Sequence, residues 1–133
     1  MTRTPIDQGT RFSGSRRIAL RLGYGLAAMA VLGWAIWSGL PWAPALIAWA
    51  LIDIPSILAG WNQPHEPRMM PERAVPYYNA LHYLLPPVIA TAGAAFAPWP
   101  VLTAAFAGWL LHVLLDRTVG YDLRNARGEI RTR

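Results

Sequence analysis

Residues 22–52 read LGYGLAAMAVLGWAIWSGLPWAPALIAWALI, without one charged side chain. A helix crossing the hydrocarbon core of a bilayer needs about 20 apolar residues. This stretch is longer than one crossing requires, and Pro41-Trp42-Ala43-Pro44 divides it. Proline removes a backbone donor and disfavours helix in the residue before it. A soluble core helix would need a polar face, and neither half has one. Two membrane spans are therefore predicted, at about 17–40 and about 44–61.

Further along, residues 74–115 contain no Asp, Glu or Arg, and His82 and His112 are their only groups that titrate near neutrality. Pro98-Trp99-Pro100 divides this stretch in the same way, predicting spans at about 77–97 and 101–121. Between the two pairs lies segment 62–76, with four prolines and the charges of Glu66, Arg68, Glu72 and Arg73, which reads as a polar loop. Residues 1–15 are rich in Thr, Ser, Gly and Pro and are expected to be a disordered cytoplasmic tail, and 123–133 a basic one. The predicted fold class is all-α: a four-span transmembrane helix bundle within 16–122.

Arginine sets the orientation. It flanks the first span at Arg3, Arg11, Arg16, Arg17 and Arg21, sits in the middle loop at Arg68 and Arg73, and follows the last span at Arg117, Arg124, Arg127, Arg131 and Arg133. The two short proline turns have none. All three basic segments fall on one side of an even-numbered bundle, so the prediction is N-in/C-in. Trp37, Trp42 and Trp99 then form an outer aromatic belt, and Trp61, Tyr77, Tyr78 and Tyr121 an inner one. Gly93-Ala94-Ala95 and Ala104-Ala105 are expected to allow close helix packing.

Composition narrows the chemistry. Of 133 residues, 54% are hydrophobic and only 14% charged, against about 25% charged in soluble domains. Cysteine is absent, which excludes disulfides, thiolate ligands and cysteine nucleophiles. The net charge of +5 and pI near 10.4 come entirely from Arg at span boundaries and tails. They suit anionic lipid, and no nucleic-acid partner is expected.

Ionisable groups inside a span are costly and often mark function. At 1.5 Å per helical residue, Asp53, His82, His112 and Asp116 come out at similar depth in the cytoplasmic half, on three different spans. His112 and Asp116 are four apart and share a helix face; Asn79 and His82 are three apart and share one too. Two imidazoles and two carboxylates suit a divalent metal such as zinc, iron or manganese. Pro55 and Pro86-Pro87 lie near Asp53 and His82 and are expected to kink their helices and open a pocket. Two other readings stay open: a structural polar network, with Asp53 paired to Arg21 or Arg117, and a proton or ion path. His65, in the polar loop, reads as a solvated histidine.

Three blocks resemble domain-of-unknown-function family 4260, small bacterial integral membrane proteins. They are His112-Val-Leu-Leu-Asp116-Arg117-Thr-Val-Gly120-Tyr121, Tyr78-Asn79-Ala-Leu-His82, and Asp53-Ile-Pro-Ser56. The similarity covers about 21–124. The chain departs from the family pattern at Ile52, where Pro is usual, at Gly23, where Glu is frequent, and at Asp122 and Arg124, where Gly and Lys are usual; the family's Thr-His element near the C-terminus has no counterpart. The resemblance implies that Asp53, Asn79, His82, His112, Asp116 and Arg117 matter, and implies no particular activity.

The leading functional expectation is a metal-dependent hydrolase embedded in the bacterial cytoplasmic (inner) membrane and acting on an amphipathic or lipid-like substrate. His82, His112 and Asp116 would bind the metal. Asp53 would be a fourth ligand or the general base. Arg117 would hold an anionic head group, and Tyr78 and Asn79 would hydrogen-bond to the ligands. The alternatives are a non-enzymatic membrane subunit or assembly factor, docking a membrane protein partner or a second copy, and a small ion or proton transporter.

Overall fold

The computed structural model describes residues 6–131, with side-chain surroundings from Gly14 onward. Among these residues the architecture is all-helical, with one isolated antiparallel bridge between Arg124 and Ile130. Six α-helices follow one another: α1 (Ile6–Trp37), α2 (Trp42–Leu51), α3 (Ile54–Gly60), α4 (Val75–His82), α5 (Leu85–Ala95) and α6 (Pro100–Val119). A short 3-10 turn, Glu72–Ala74, precedes α4. Helix α1 starts at Ile6, within the segment expected to be disordered, because a formed helix extends one hydrogen bond at a time at little cost. Residues 1–5 of that segment lie outside the described residues.

Three helical stretches are long and apolar enough to cross a membrane: Gly14–Trp37, Trp42–Gly60 and Pro100–Val119. The predicted span 77–97 is divided instead, into α4 and α5, with Tyr83 extended between them. Pro86 and Pro87 are the cause, since neither has an N–H for the carbonyl four residues back. The second span is interrupted more mildly at Ile52-Asp53, where both residues keep α-helical backbone angles, with Pro55 in the first turn of α3. Both interruptions lie where the prolines led us to expect kinks.

Helix α6 is the centre of the molecule, packed by α1, α2 and α5. It carries the largest share of the core, with Ala104, Ala107, Leu110, Val113 and Leu114 buried. At Gly108 a Cβ would run into the backbone of Ala45, so α2 and α6 meet backbone to backbone, the close approach that small residues permit. The outward faces are apolar and bare: Leu26 is 72% exposed, Trp37 86% and Phe96 94%. Side chains of this kind so far out of the core suit lipid rather than water. Tyr78 departs from the expected inner belt. It is buried, while Trp61, Tyr77 and Tyr121 are exposed.

The C-terminal segment is more than a basic tail. Beyond Gly120, whose φ of 103° ends α6, the chain turns back on itself around Asn125 and Gly128. Arg131 N–H donates to the Leu123 carbonyl and Asn125 N–H to the Glu129 carbonyl. This hairpin docks on the 62–76 loop, where Met70 N–H donates to the Gly128 carbonyl at 3.0 Å. Of its basic residues, Arg131 lines a pocket together with Arg21, whose Nη2 donates to the Val119 carbonyl at 2.8 Å.

Candidate metal centre

The two helix interruptions and the last two turns of α6 converge on one cluster. His82 ends α4, Asp53 sits between α2 and α3, and His112 and Asp116 project from one face of α6. His82 Nε2 lies 3.2 Å from His112 Nε2, 3.3 Å from Asp53 Oδ1 and 3.4 Å from Asp116 Oδ2. His112 Nε2 lies 3.5 Å from Asp53 Oδ2 and 3.7 Å from Asp116 Oδ2. The depth agreement inferred from the sequence is thus true contact.

Two hydrogen bonds decide the chemistry of the rings. His82 Nδ1 is 2.9 Å from the Tyr78 carbonyl oxygen, and His112 Nδ1 is 2.9 Å from the Trp49 carbonyl oxygen. A carbonyl only accepts, so each Nδ1 carries a proton. In the neutral rings each Nε2 is then a bare lone pair, and the two face one another. Facing lone pairs repel, and a cation held between them would relieve that repulsion. Histidine ligands of metals are held in this same way, the other ring nitrogen donating to a carbonyl.

The spacing admits a metal. Tetrahedral coordination at roughly 2.0–2.1 Å per ligand sets neighbouring donors about 3.3–3.4 Å apart. Asp53, His82 and His112 form a group whose donor atoms all lie within 4.8 Å of one another, so this group could hold a metal ion. Asp116 touches both rings through one oxygen but is outside that mutual group. The same atoms are also at ion-pair distance.

Burial is asymmetric. The His82 and His112 side chains are 1% and 7% exposed, those of Asp53 and Asp116 41% and 24%. The cluster is closed behind the rings and open on the carboxylate side.

The backbone around the cluster is held by donors that the sequence did not disclose. Pro86 cannot bond the His82 carbonyl, and Arg117 Nη2 takes its place at 2.9 Å. Trp109 Nε1 donates to the neighbouring Leu81 carbonyl at 2.6 Å. Tyr78 stacks on His82, ring centroids 3.9 Å apart and planes 15° apart, with its hydroxyl 3.5 Å from Asp116 Oδ2. The Trp49 ring leans on His112 at 5.1 Å.

Two expected roles are corrected. Arg117 does not stand at a mouth to meet an anion. It is buried, and its Nη1 pairs with Asp122 at 2.8 Å and donates to the Tyr121 carbonyl, while Nη2 holds His82. A phosphate would have to displace all three. Asn79 is no partner of the ligands either. Its amide donates to the Arg124 carbonyl at 2.9 Å and accepts from the Arg124 N–H at 2.8 Å, clamping the C-terminal hairpin. Asp53 pairs with the histidines rather than with Arg21 or Arg117. His65 is exposed in its loop, its Nδ1 3.1 Å from the Gln63 carbonyl oxygen.

The sequence reading gives Trp49, Trp109 and Asp122 no part in the site, and takes Pro86 for a kink without its effect on the His82 carbonyl. A signal existed for two of them: Pro86 follows His82 by four residues, the distance at which it strips a carbonyl, and Trp109 precedes His112 by three, on the same face of α6. Comparison with family models, curated proteins and solved structures returns no match for this chain.

Proposed function

We propose that the chain is a four-span membrane protein, N-in/C-in in a bacterial cytoplasmic membrane, whose polar cluster is a divalent-metal centre of hydrolytic type. The reading is carried by one observation: two N–H bonds to backbone carbonyls leave His82 and His112 with facing Nε2 lone pairs beside two carboxylates. Asp53, His82 and His112 are the ligands, and zinc, iron and manganese all accept such a set. Three protein ligands and an open position are the arrangement of catalytic rather than structural sites. A metal there lowers the pKa of a bound water towards about 7, which supplies a nucleophile to a chain without cysteine. Asp116, half in the cluster and half open, accepts the proton of the attacking water. Tyr78 keeps that carboxylate and the His82 ring in register. Exposed Ile54 and Ile57 beside Asp53 favour an amphipathic or lipid-like substrate. The resemblance to domain-of-unknown-function family 4260 belongs to the same proposal, since its three blocks contain every member of the cluster.

Elemental analysis of the purified, detergent-solubilised protein tests this directly. About one equivalent of a transition metal is expected in the wild type, and little in folded His82→Ala and His112→Ala proteins. No metal in the wild type, even after reconstitution, overturns the reading. The cluster is then a protonated structural network, which the ion-pair distances favour as the second reading. Metal carried across a vesicle membrane would instead assign the centre to transport.

A further inference from the structure

We infer that the chain binds an anionic phospholipid at a second site, on the α1 side of α6, with its phosphate among arginines and an acyl chain in an adjoining apolar groove. A pocket of about 240 Å³ is lined by Arg17, Arg21 and Arg131, with the internally paired Arg117 and Asp122 at its base. Among the described residues the guanidinium groups of Arg17 and Arg131 have neither ion pair nor hydrogen bond. Arg21 spends one nitrogen on the Val119 carbonyl and lies against Gly120, where any side chain would collide with it. The remaining donors of three cations therefore share one small space. Setting the internal Arg117–Asp122 pair aside, they leave it a local charge of about three, which calls for an anion.

The pocket does not end in water. Leu20 and Tyr24 line it and also line a neighbouring groove of about 470 Å³ between α1, α5 and α6, walled by Gly23, Leu84, Val88 and Leu110 among others. A free phosphate needs only the arginines. An arginine pocket that continues into an apolar groove fits a phosphate attached to an acyl chain. Arginine suits phosphate because its planar fork offers paired donors.

The inference rests on the membrane-spanning reading and is independent of the metal centre. The test is native mass spectrometry of the full chain in neutral detergent, titrated with phosphatidylglycerol, phosphatidylcholine of the same acyl chains, or inorganic phosphate. Phosphatidylglycerol is expected to bind and phosphatidylcholine to bind far less. The double variant Arg17→Gln/Arg131→Gln should weaken phosphatidylglycerol roughly 30-fold and leave metal content and the circular dichroism spectrum unchanged. Gly23→Leu provides the second arm. A Cβ at Gly23 meets open space, so a leucine there fits the helix and fills the groove. It should weaken phosphatidylglycerol while leaving any binding of inorganic phosphate untouched. Equal binding of the two lipids, or wild-type affinity in the arginine variant, overturns the site. Wild-type affinity in Gly23→Leu with inorganic phosphate as competitor overturns the lipid and leaves a soluble anion. Release of the protein from membranes by alkaline carbonate would sink the membrane reading itself, a distinct result.

Discussion

At the scale of single residues, the identity of a functional side chain and its job separate in this protein. His112 and Asp116 were legible at once, because four residues in a helix means one face. The work of Arg117 was not, because an arginine at a span boundary normally reaches for water or lipid head groups. It turns inward because Pro86 leaves a buried carbonyl without a donor, and an unsatisfied buried carbonyl costs about 1–3 kcal/mol. Arg117→Ala should therefore destabilise the protein by roughly 3 kcal/mol or more, since it also removes the arginine of the buried Arg117–Asp122 ion pair. SDS unfolding of the solubilised protein measures this. Arg117→Lys should recover only part, as one ammonium cannot span the His82 carbonyl and Asp122 together. If Arg117→Ala is as stable as wild type, the residue is free to bind a ligand after all. The carboxylates divide similarly. Asp53→Asn should weaken metal binding by tenfold or more, whereas Asp116→Asn should retain metal, because only Asp53 belongs to the mutual donor group. A metal competition titration of the two variants separates them, and equal losses would make Asp116 a ligand.

At the scale of elements, the feature that makes the site is the interruption of two apolar helices at one level. Broken backbone inside a bilayer is tolerated only where it is buried in protein. Here the exposed ends are used: the Trp49 carbonyl orients His112 from the last turn of α2, and the His82 and Leu81 carbonyls receive Arg117 and Trp109. The apolar stretches and their proline punctuation were readable, and so were the kinks. What the open carbonyls would bond was not, since those partners come from a helix 28 to 63 residues away. Pro86→Ala/Pro87→Ala restores both N–H donors and should let α4 and α5 run on as one helix. The His82 carbonyl then has a local partner, the ring is carried out of the cluster, and metal content should fall to a small fraction of wild type. Helical ellipticity should rise slightly. Full metal content in this variant would show that the interruption is incidental to the site. The α2–α6 contact gives a simpler test: Gly108→Val forces a side chain into the Ala45 backbone and should cost roughly 1–3 kcal/mol or more by SDS unfolding.

At the scale of the whole molecule, the proposed fourth crossing rests on which ends touch. Taken separately, α4 and α5 are 8 and 11 residues long, and neither alone is enough for a bilayer core of about 30 Å. Yet Arg21 bonds Val119, Met70 bonds Gly128, and Asn79 clamps Arg124, so the 62–76 loop, the C-terminal hairpin and the Arg21 turn of α1 lie at one end. Helix α6 must run towards that end, and Thr103 Oγ1, bonded to the Ala94 carbonyl at 2.9 Å, ties its far start to the end of α5. The chain between the loop and α6 therefore climbs the full height of the bundle, as α4 and α5 in tandem, and their summed rise of about 28 Å is just sufficient. On the proposed four-span reading, this puts Arg21, the 62–76 loop and the C-terminal hairpin on one side. Because the chain has no cysteine, single replacements report each side cleanly. In spheroplasts, a membrane-impermeant maleimide should label Ser38→Cys and Ala97→Cys, and should reach His65→Cys and Ala126→Cys only after permeabilisation. A three-span chain with α4 and α5 returning to the inner face would instead protect Ala97→Cys and expose Ala126→Cys. That outcome would require the hairpin to leave the 62–76 loop, and with it the clamp at Asn79 that the folded chain makes.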